Sequence, residues 1–372
     1  MTDFSIPAAD AERAVRARKR RELREILRPY GTSSYFTGLG LAGLDLALFV
    51  SLSTLVVALP NVPGKLLSSI ALALIMSRLF VLGHDAGHHS LTPSRRINTI
   101  LARILFLPTY SCFSLWQAGH NVAHHGFAGL KGRDIPWVPL SPDEYISRPR
   151  MSRWLYRVYR SWWGAGVYYG LDVWWRQLIF PRGKIRKIFL WDSLAVTAFF
   201  ALQLTAYVIA ARATGQSAIT LVALGVVVPF ILWLYMAGIV FFLHHTDHDA
   251  RWYVREPEWR PKQPDLGAAH CTSLPLGLHR LLHHALDHAV HHIDPTIPSY
   301  RMMRATSALA ARYPLEISHR HIGLARYMKI AKACQLYDYV RHEWVSIGGL
   351  ESERRRTDHA DMPTESSAAR HA

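Results

Sequence analysis

Cysteine is nearly missing from this chain: its 372 residues include three, Cys112, Cys271 and Cys334. None stands in a Cys-x-x-Cys spacing, so neither a disulfide framework nor a thiolate zinc site is indicated, and a reducing side of a membrane is expected. Acidic residues are also scarce, 27 Asp and Glu against 43 Lys and Arg, giving a formal charge of +16. That excess suits nucleic acid or an anionic membrane surface. Long apolar runs make the membrane the simpler partner, and no nucleic-acid role is expected. His-Glu-x-x-His does not occur, which removes the zincin proteases. No flavin, nicotinamide or haem motif is visible. The N-terminus shows no short apolar region followed by a cleavage site, so no signal peptide is expected.

Apolar residues make up 50% of the chain, yet the mean hydropathy is only +0.05, so greasy segments are offset by polar ones. Four stretches reach the roughly 20 apolar residues that a bilayer crossing needs: about 38–59, 66–83, 190–211 and 219–243. "PNVPGK" joins the first two and "RATGQSA" the last two, which predicts two hairpins with very short far-side loops. Asp45 and Arg78 interrupt the apolar text and are expected to face protein or an interface. Ten Arg and Lys lie between Arg148 and Lys187, and eight more occupy "AERAVRARKRRELREILR" before the first span. The far-side loops carry Lys65 and Arg212 alone, so both termini and the central region are expected to be cytoplasmic. The basic N-terminal segment reads as a helix on the lipid surface. A further apolar piece, about 98–115, is broken by "PTYSC" and reads as re-entrant or amphipathic. The Trp-, Tyr- and Arg-rich stretch 154–176 suits the headgroup layer. The predicted organisation is a basic segment 1–34, a membrane domain 35–348 and a polar, disordered tail 349–372.

Histidine is abundant and clustered. "HDAGHH" (84–89), "HNVAHH" (120–125), "HHTDH" (244–248) and "HAVHH" (288–292) all fall on the cytoplasmic side of this topology, with "HRLLHH" (279–284) just before the last. The triplet His-x-x-x-His-His starts at His84, His120 and His279, although 21 histidines in 372 residues should produce it well under once by chance. On a helix such spacings point two or three imidazoles to one flank. Isolated histidines (His270, His319, His321, His342, His359, His371) are read as ordinary core or surface residues. Imidazole-only sites suit Zn, Fe, Cu or Ni. A structural zinc needs four ligands, whereas eight or nine candidates imply two ions. Ferritin-type di-iron bundles use paired Glu-x-x-His motifs; here the single copy runs from Glu316 to His319. A metal transporter should carry polar ligands at mid-membrane, and these spans have almost none.

"HDAGHH", "HNVAHH" and "HAVHH" around two hairpins resemble the three histidine boxes of the integral-membrane fatty acid desaturase and hydroxylase superfamily. "GHNVAHHGFAGLKGRDIPWVPLSPDEY", "FFLHHTDHDARWY" and "HHIDPTIPSYRM" are similar to bacterial acyl-lipid desaturases of the Δ12 (omega-6) type, and the resemblance covers roughly residues 35 to 325. It implies an all-α integral membrane protein of the bacterial inner membrane, with four transmembrane helices and a cytoplasmic helical cap carrying a di-iron site. The implied ligands are His84 with His88 and/or His89, then His120, His124 and His125, then His288, His291 and His292. One more comes from the end of the last span, His245 with His244 as the alternate. His284, one helical turn before His288, is kept as a possible member. Asp85, Asp134, Asp247 and Asp287 are candidates to orient the imidazoles. The implied reaction is O2-dependent removal of two hydrogens from an unactivated CH2–CH2 pair of a fatty acyl lipid. Its electrons come from a separate carrier such as an acidic ferredoxin or a flavodoxin. Hydroxylation or ketolation on the same scaffold is the alternative outcome.

Overall fold

The computed structural model describes residues 5–180, 186–263, 269–317 and 319–360. It is predominantly helical, and its only strands among the described residues form two short pairs: Cys271–Ser273 with His319–His321, and Leu336–Asp338 with Glu343–Val345. The helices that position the site are α1 (Ser5–Leu27), α2 (Tyr35–Ala58), α3 (Val62–Gly87), α4 (Arg95–Phe106) and α5 (Phe113–Phe127). They are followed by α6 (165–179), α7 (Lys187–Thr214), α8 (Ala218–His245), α9 (His288–Ile293) and α10 (Ser299–Arg312).

Local chemistry sets the helix ends. The Ser34 hydroxyl accepts from the Thr37 N–H to start α2, and Asn61 Oδ1 accepts from the Gly64 N–H at 2.7 Å to start α3, with Pro63 in its first turn. Gly215, at φ +69, ends α7 in the left-handed conformation that glycine adopts without strain. Four helices, α2, α3, α7 and α8, are long and apolar enough to cross a membrane. Only 17% of α7's apolar window and 22% of α2's is buried within the protein, against 61% for α3. The outer helices therefore present apolar surface that needs lipid, while α3 packs against α2, α4 and α8 at the centre. The expected interruption in 98–115 is a sharp corner: Arg95–Thr109 and Phe113–Phe127 meet at 104°.

Asp45 and Arg78, the two charges inside apolar text, face each other. Arg78 Nη2 donates to Asp45 Oδ1 at 2.7 Å, and His283 Nε2 lies 2.7 Å from Asp45 Oδ2, so the buried carboxylate has charged or polar partners on two sides. Trp154, Trp162, Trp163 and Trp175 are exposed. The structure departs from the sequence reading in two places. The basic α1 is more than a surface helix, because Leu23 and Leu27 are buried in one apolar cluster with Ala289, Val290 and Met302. The polar tail begins with a helix, Ile347–Ala360, whose Glu351 pairs with Arg157; residues 361–372 lie outside the described residues.

Candidate metal centre

Helices α3 and α8 run toward the same end of the molecule and finish at His84–His88 and His244–His245. The corner between α4 and α5 brings His120, His124 and His125 to that end, and the short α9 supplies His288, His291 and His292. Close packing makes the meeting possible: a Cβ on Gly87 would lie 2.3 Å from the Trp116 ring, so only glycine lets the end of α3 reach α5. Trp116 then stacks on His120, ring centroids 4.6 Å apart.

The imidazoles sort into two groups. His84, His88, His120, His125 and His291 form one, and His124, His245, His288 and His292 the other; within each, one nitrogen per residue lies within 4.8 Å of all the others. In the first group the Nε2 of His120 is 3.1 Å from that of His84 and 3.1 Å from that of His125, which is 3.0 Å from that of His291. In the second, the Nε2 of His288 is 3.2 Å from that of His245 and 3.1 Å from that of His292. A ring nitrogen of neutral imidazole carries one proton or one lone pair. The Nε2 atoms of His120, His125 and His288 each face two others, and hydrogen bonding satisfies at most one contact of each. Two nitrogens bound about 2.1 Å from one ion lie roughly 3.0–3.4 Å apart at octahedral to tetrahedral angles. The buried Nε2 atoms of His88 and His124 have no hydrogen-bond partner. These donor sets fit a metal ion in each group.

The electrostatics agree. Burial, followed by the neighbouring imidazoles, lowers His288, His291 and His292 well below the usual histidine value, so they stay neutral and keep lone pairs available. Asp134 Oδ1 lies 2.7 Å from His124 Nδ1 and its Oδ2 accepts from the Gly129 N–H at 2.8 Å. A carboxylate there holds the proton on Nδ1 and turns the Nε2 lone pair inward. Asp85 Oδ1 is 3.4 Å from His84 Nδ1, and its other oxygen accepts from the Ser299 N–H at 2.6 Å. Asp247 is instead held by Arg320 at 2.6 Å, and Asp287 lies 3.7 Å from His284.

Of the residues singled out in the sequence, nine histidines fall in the two groups. His89 does not: it follows the end of α3 at φ +60, and its ring is outside both sets. Of the His244/His245 pair, His245 joins a group while His244 stacks flat on His288 at 3.7 Å. His284 is not one helical turn before His288, because α9 starts at His288 and His284 sits at φ +58 in the preceding loop. Asp45 and Arg78 stood out in the sequence as charges in apolar text, but their pairing with each other and with His283 did not, since the three are scattered along the chain.

Beside the groups runs an apolar cleft between α3 and α8, walled by Phe80, Val81, Met236, Val240 and Phe241. His84, His120, His288 and His291 line it as well, and so do Ser77 and Trp233. At 1.5 Å per residue, Ser77 and Trp233 lie about 10 Å and 16 Å below His84 and His244 along their helices.

Comparison with known proteins agrees with this geometry. A family described as "Fatty acid desaturase" matches residues 60–323. An sn-1 oleoyl-lipid 12-desaturase of Picosynechococcus sp. is 26% identical over 279 residues, covering 73% of this chain and 76% of the relative. A chloroplastic omega-6 fatty acid desaturase of Spinacia oleracea is 24% identical, covering 70% of this chain and 56% of its own. An sn-1 acyl-lipid omega-3 desaturase (ferredoxin) of Nostoc sp. is 26% identical, covering 62% and 63%. The matched segment contains every residue of both histidine groups, and the chain belongs to the fatty acid desaturase family.

Proposed function

We propose that this chain introduces a double bond into a fatty acyl lipid, in the Δ12 or omega-6 manner of its relatives, using O2 and two iron ions. The observation that carries the reading is the union of two imidazole-only groups with one end of a narrow apolar cleft. His84, His88, His120, His125 and His291 would hold one ion, and His124, His245, His288 and His292 the other. Bound there, the irons would supply the O2-dependent chemistry that no side chain can perform on an unactivated carbon. The chain's own residues do the rest. Phe80, Val81, Val240 and Phe241 exclude water and align a methylene chain. Asp134 and Asp85 orient the imidazoles beside them. Trp233 and Ser77 lie at the far end of the cleft and limit how far a chain can enter.

The arrangement this requires is an integral protein of the bacterial inner membrane, with α2–α3 and α7–α8 as two hairpins. The histidine end, both termini and residues 349–372 would be cytoplasmic, and 35–348 the enzyme domain. A one-electron carrier such as ferredoxin supplies the electrons, a reading that the ferredoxin in the name of the Nostoc relative supports. Lipid profiling of an expressing host by gas chromatography, with double-bond localisation, tests the reading. New diunsaturated acyl chains are expected; hydroxylated chains, or an unchanged profile with iron present, would overturn it.

A further inference from the structure

A cavity of about 660 Å³ touches the histidine groups from another direction and shares no lining residue with the apolar cleft. Its histidines are His125, from the first group, and His292, from the second. These two rings stack on each other, centroids 4.4 Å apart and 18° from parallel. The opposite wall is α1, which contributes Arg13, Arg16, Arg20 and Arg24, with Arg260 across the opening. Among the described residues, none of the four α1 arginines has a carboxylate partner. The only acids lining the cavity among the described residues are Glu256, paired with Arg260, and Asp294, whose Oδ1 accepts from Thr296.

Resting on the desaturase reading, we propose that this recess is the docking site of a small acidic one-electron carrier protein. The carrier delivers electrons through the half-buried rings of His125 and His292, which line the recess. Three observations point to that occupant. The unpaired positive charge is concave, and a recess with low-dielectric walls focuses the field on an incoming acidic partner. The lining reaches one ligand candidate of each group, so a single docked carrier stands one imidazole away from either ion. The arginines that line the recess occupy one stripe of α1, whereas Arg18 and Arg21 do not line it. A flat anionic bilayer has no preference for the recessed stripe, and a protruding acidic protein surface does.

The electron balance calls for such a site. One desaturation takes O2, two electrons and two protons, removes two hydrogens from the acyl chain and releases two waters. A one-electron iron–sulfur carrier must therefore dock twice per double bond, which favours a steered, short-lived contact over a tight one.

The test uses the full-length, iron-loaded protein in nanodiscs, with a plant-type [2Fe–2S] ferredoxin as probe. Binding is followed by surface plasmon resonance, and desaturation is driven either by reduced ferredoxin or by dithionite. R16E/R20E should weaken ferredoxin binding about tenfold or more and flatten its salt dependence. Dithionite-driven product should be unchanged. R260E, which lines the recess from outside α1, should weaken binding in the same direction and guards against a local defect in α1. Unchanged binding in both variants would overturn the docking site. So would an equal loss from R18E/R21E, or a loss seen only in discs of anionic lipid, because either assigns the effect to general attraction. Absence of product from the unmodified protein under both reductants would instead defeat the desaturase reading, while the binding result still judges the recess.

Discussion

His88 and His89 are neighbours in sequence and differ in everything that matters for a metal. His88 caps α3 with its Nε2 buried among four other imidazoles, while His89 has turned to φ +60. His88→Ala should abolish product and remove about one iron per chain. His89→Gly removes an imidazole and relieves a left-handed backbone, and should leave iron content within about twofold; elemental analysis of the purified variants decides. Asp134→Asn keeps the shape but loses the charge facing His124 Nδ1. It should lower metal affinity or activity on the order of 10–100-fold, read by iron titration. Acid should also weaken the metal-depleted protein. The unfolded chain takes up protons near pH 6.5, whereas His288, His291 and His292 refuse them when folded. Stability is thus fully present above 6.5 and is lost progressively as pH falls below it. Thermal melts between pH 7.5 and 5.5 should show the decline, and a flat profile would contradict it.

The same six-letter pattern, His-x-x-x-His-His, has two outcomes because the backbone under it differs. On α3 the helix stops at Gly87, and the chain turns to φ +60 at His89, so the third histidine leaves the site. From Gln117 to His124 the chain is π-helical, with the His125 N–H bonded to the His120 carbonyl. That wider turn stacks i with i+5, so His120, His124 and His125 all point inward. The third box achieves this with ordinary α geometry because it is one residue shorter, His288, His291 and His292. Spacing singled out the histidine-rich segments, the family resemblance supplied the ligand set, and nine of the ten histidines so named lie in the two groups. Spacing did not reveal which turn was π, because nothing in the six letters distinguishes a bond to the residue five back from one to the residue four back. Deleting Val122, which is exposed, would give the second box the spacing of the third. The variant should keep more than half of its iron, whereas deleting Val290 scatters His291 and His292 and should lose nearly all of it.

The apolar runs were legible as four helices long and apolar enough to cross a membrane. The packing of α1 behind α9 was not, because its apolar positions Leu23 and Leu27 are few and set among arginines. Reporter fusions after residues 62 and 215 should be external and fusions near 130, 260 and 350 internal. An external residue 260 would place the recess lined by Arg260 on the wrong side and break the single-site arrangement. One feature of the centre bears on how the protein matures. Both imidazole groups draw members from α9, a six-residue helix late in the chain: His291 for one, His288 and His292 for the other. Neither imidazole group is complete until α9 has left the ribosome and docked against Leu23 and Leu27, which were synthesised first. On the two-iron proposal, loading would wait on this single late event. Partly supplied cells should accumulate a mixture of fully loaded and empty chains rather than a population holding one ion apiece.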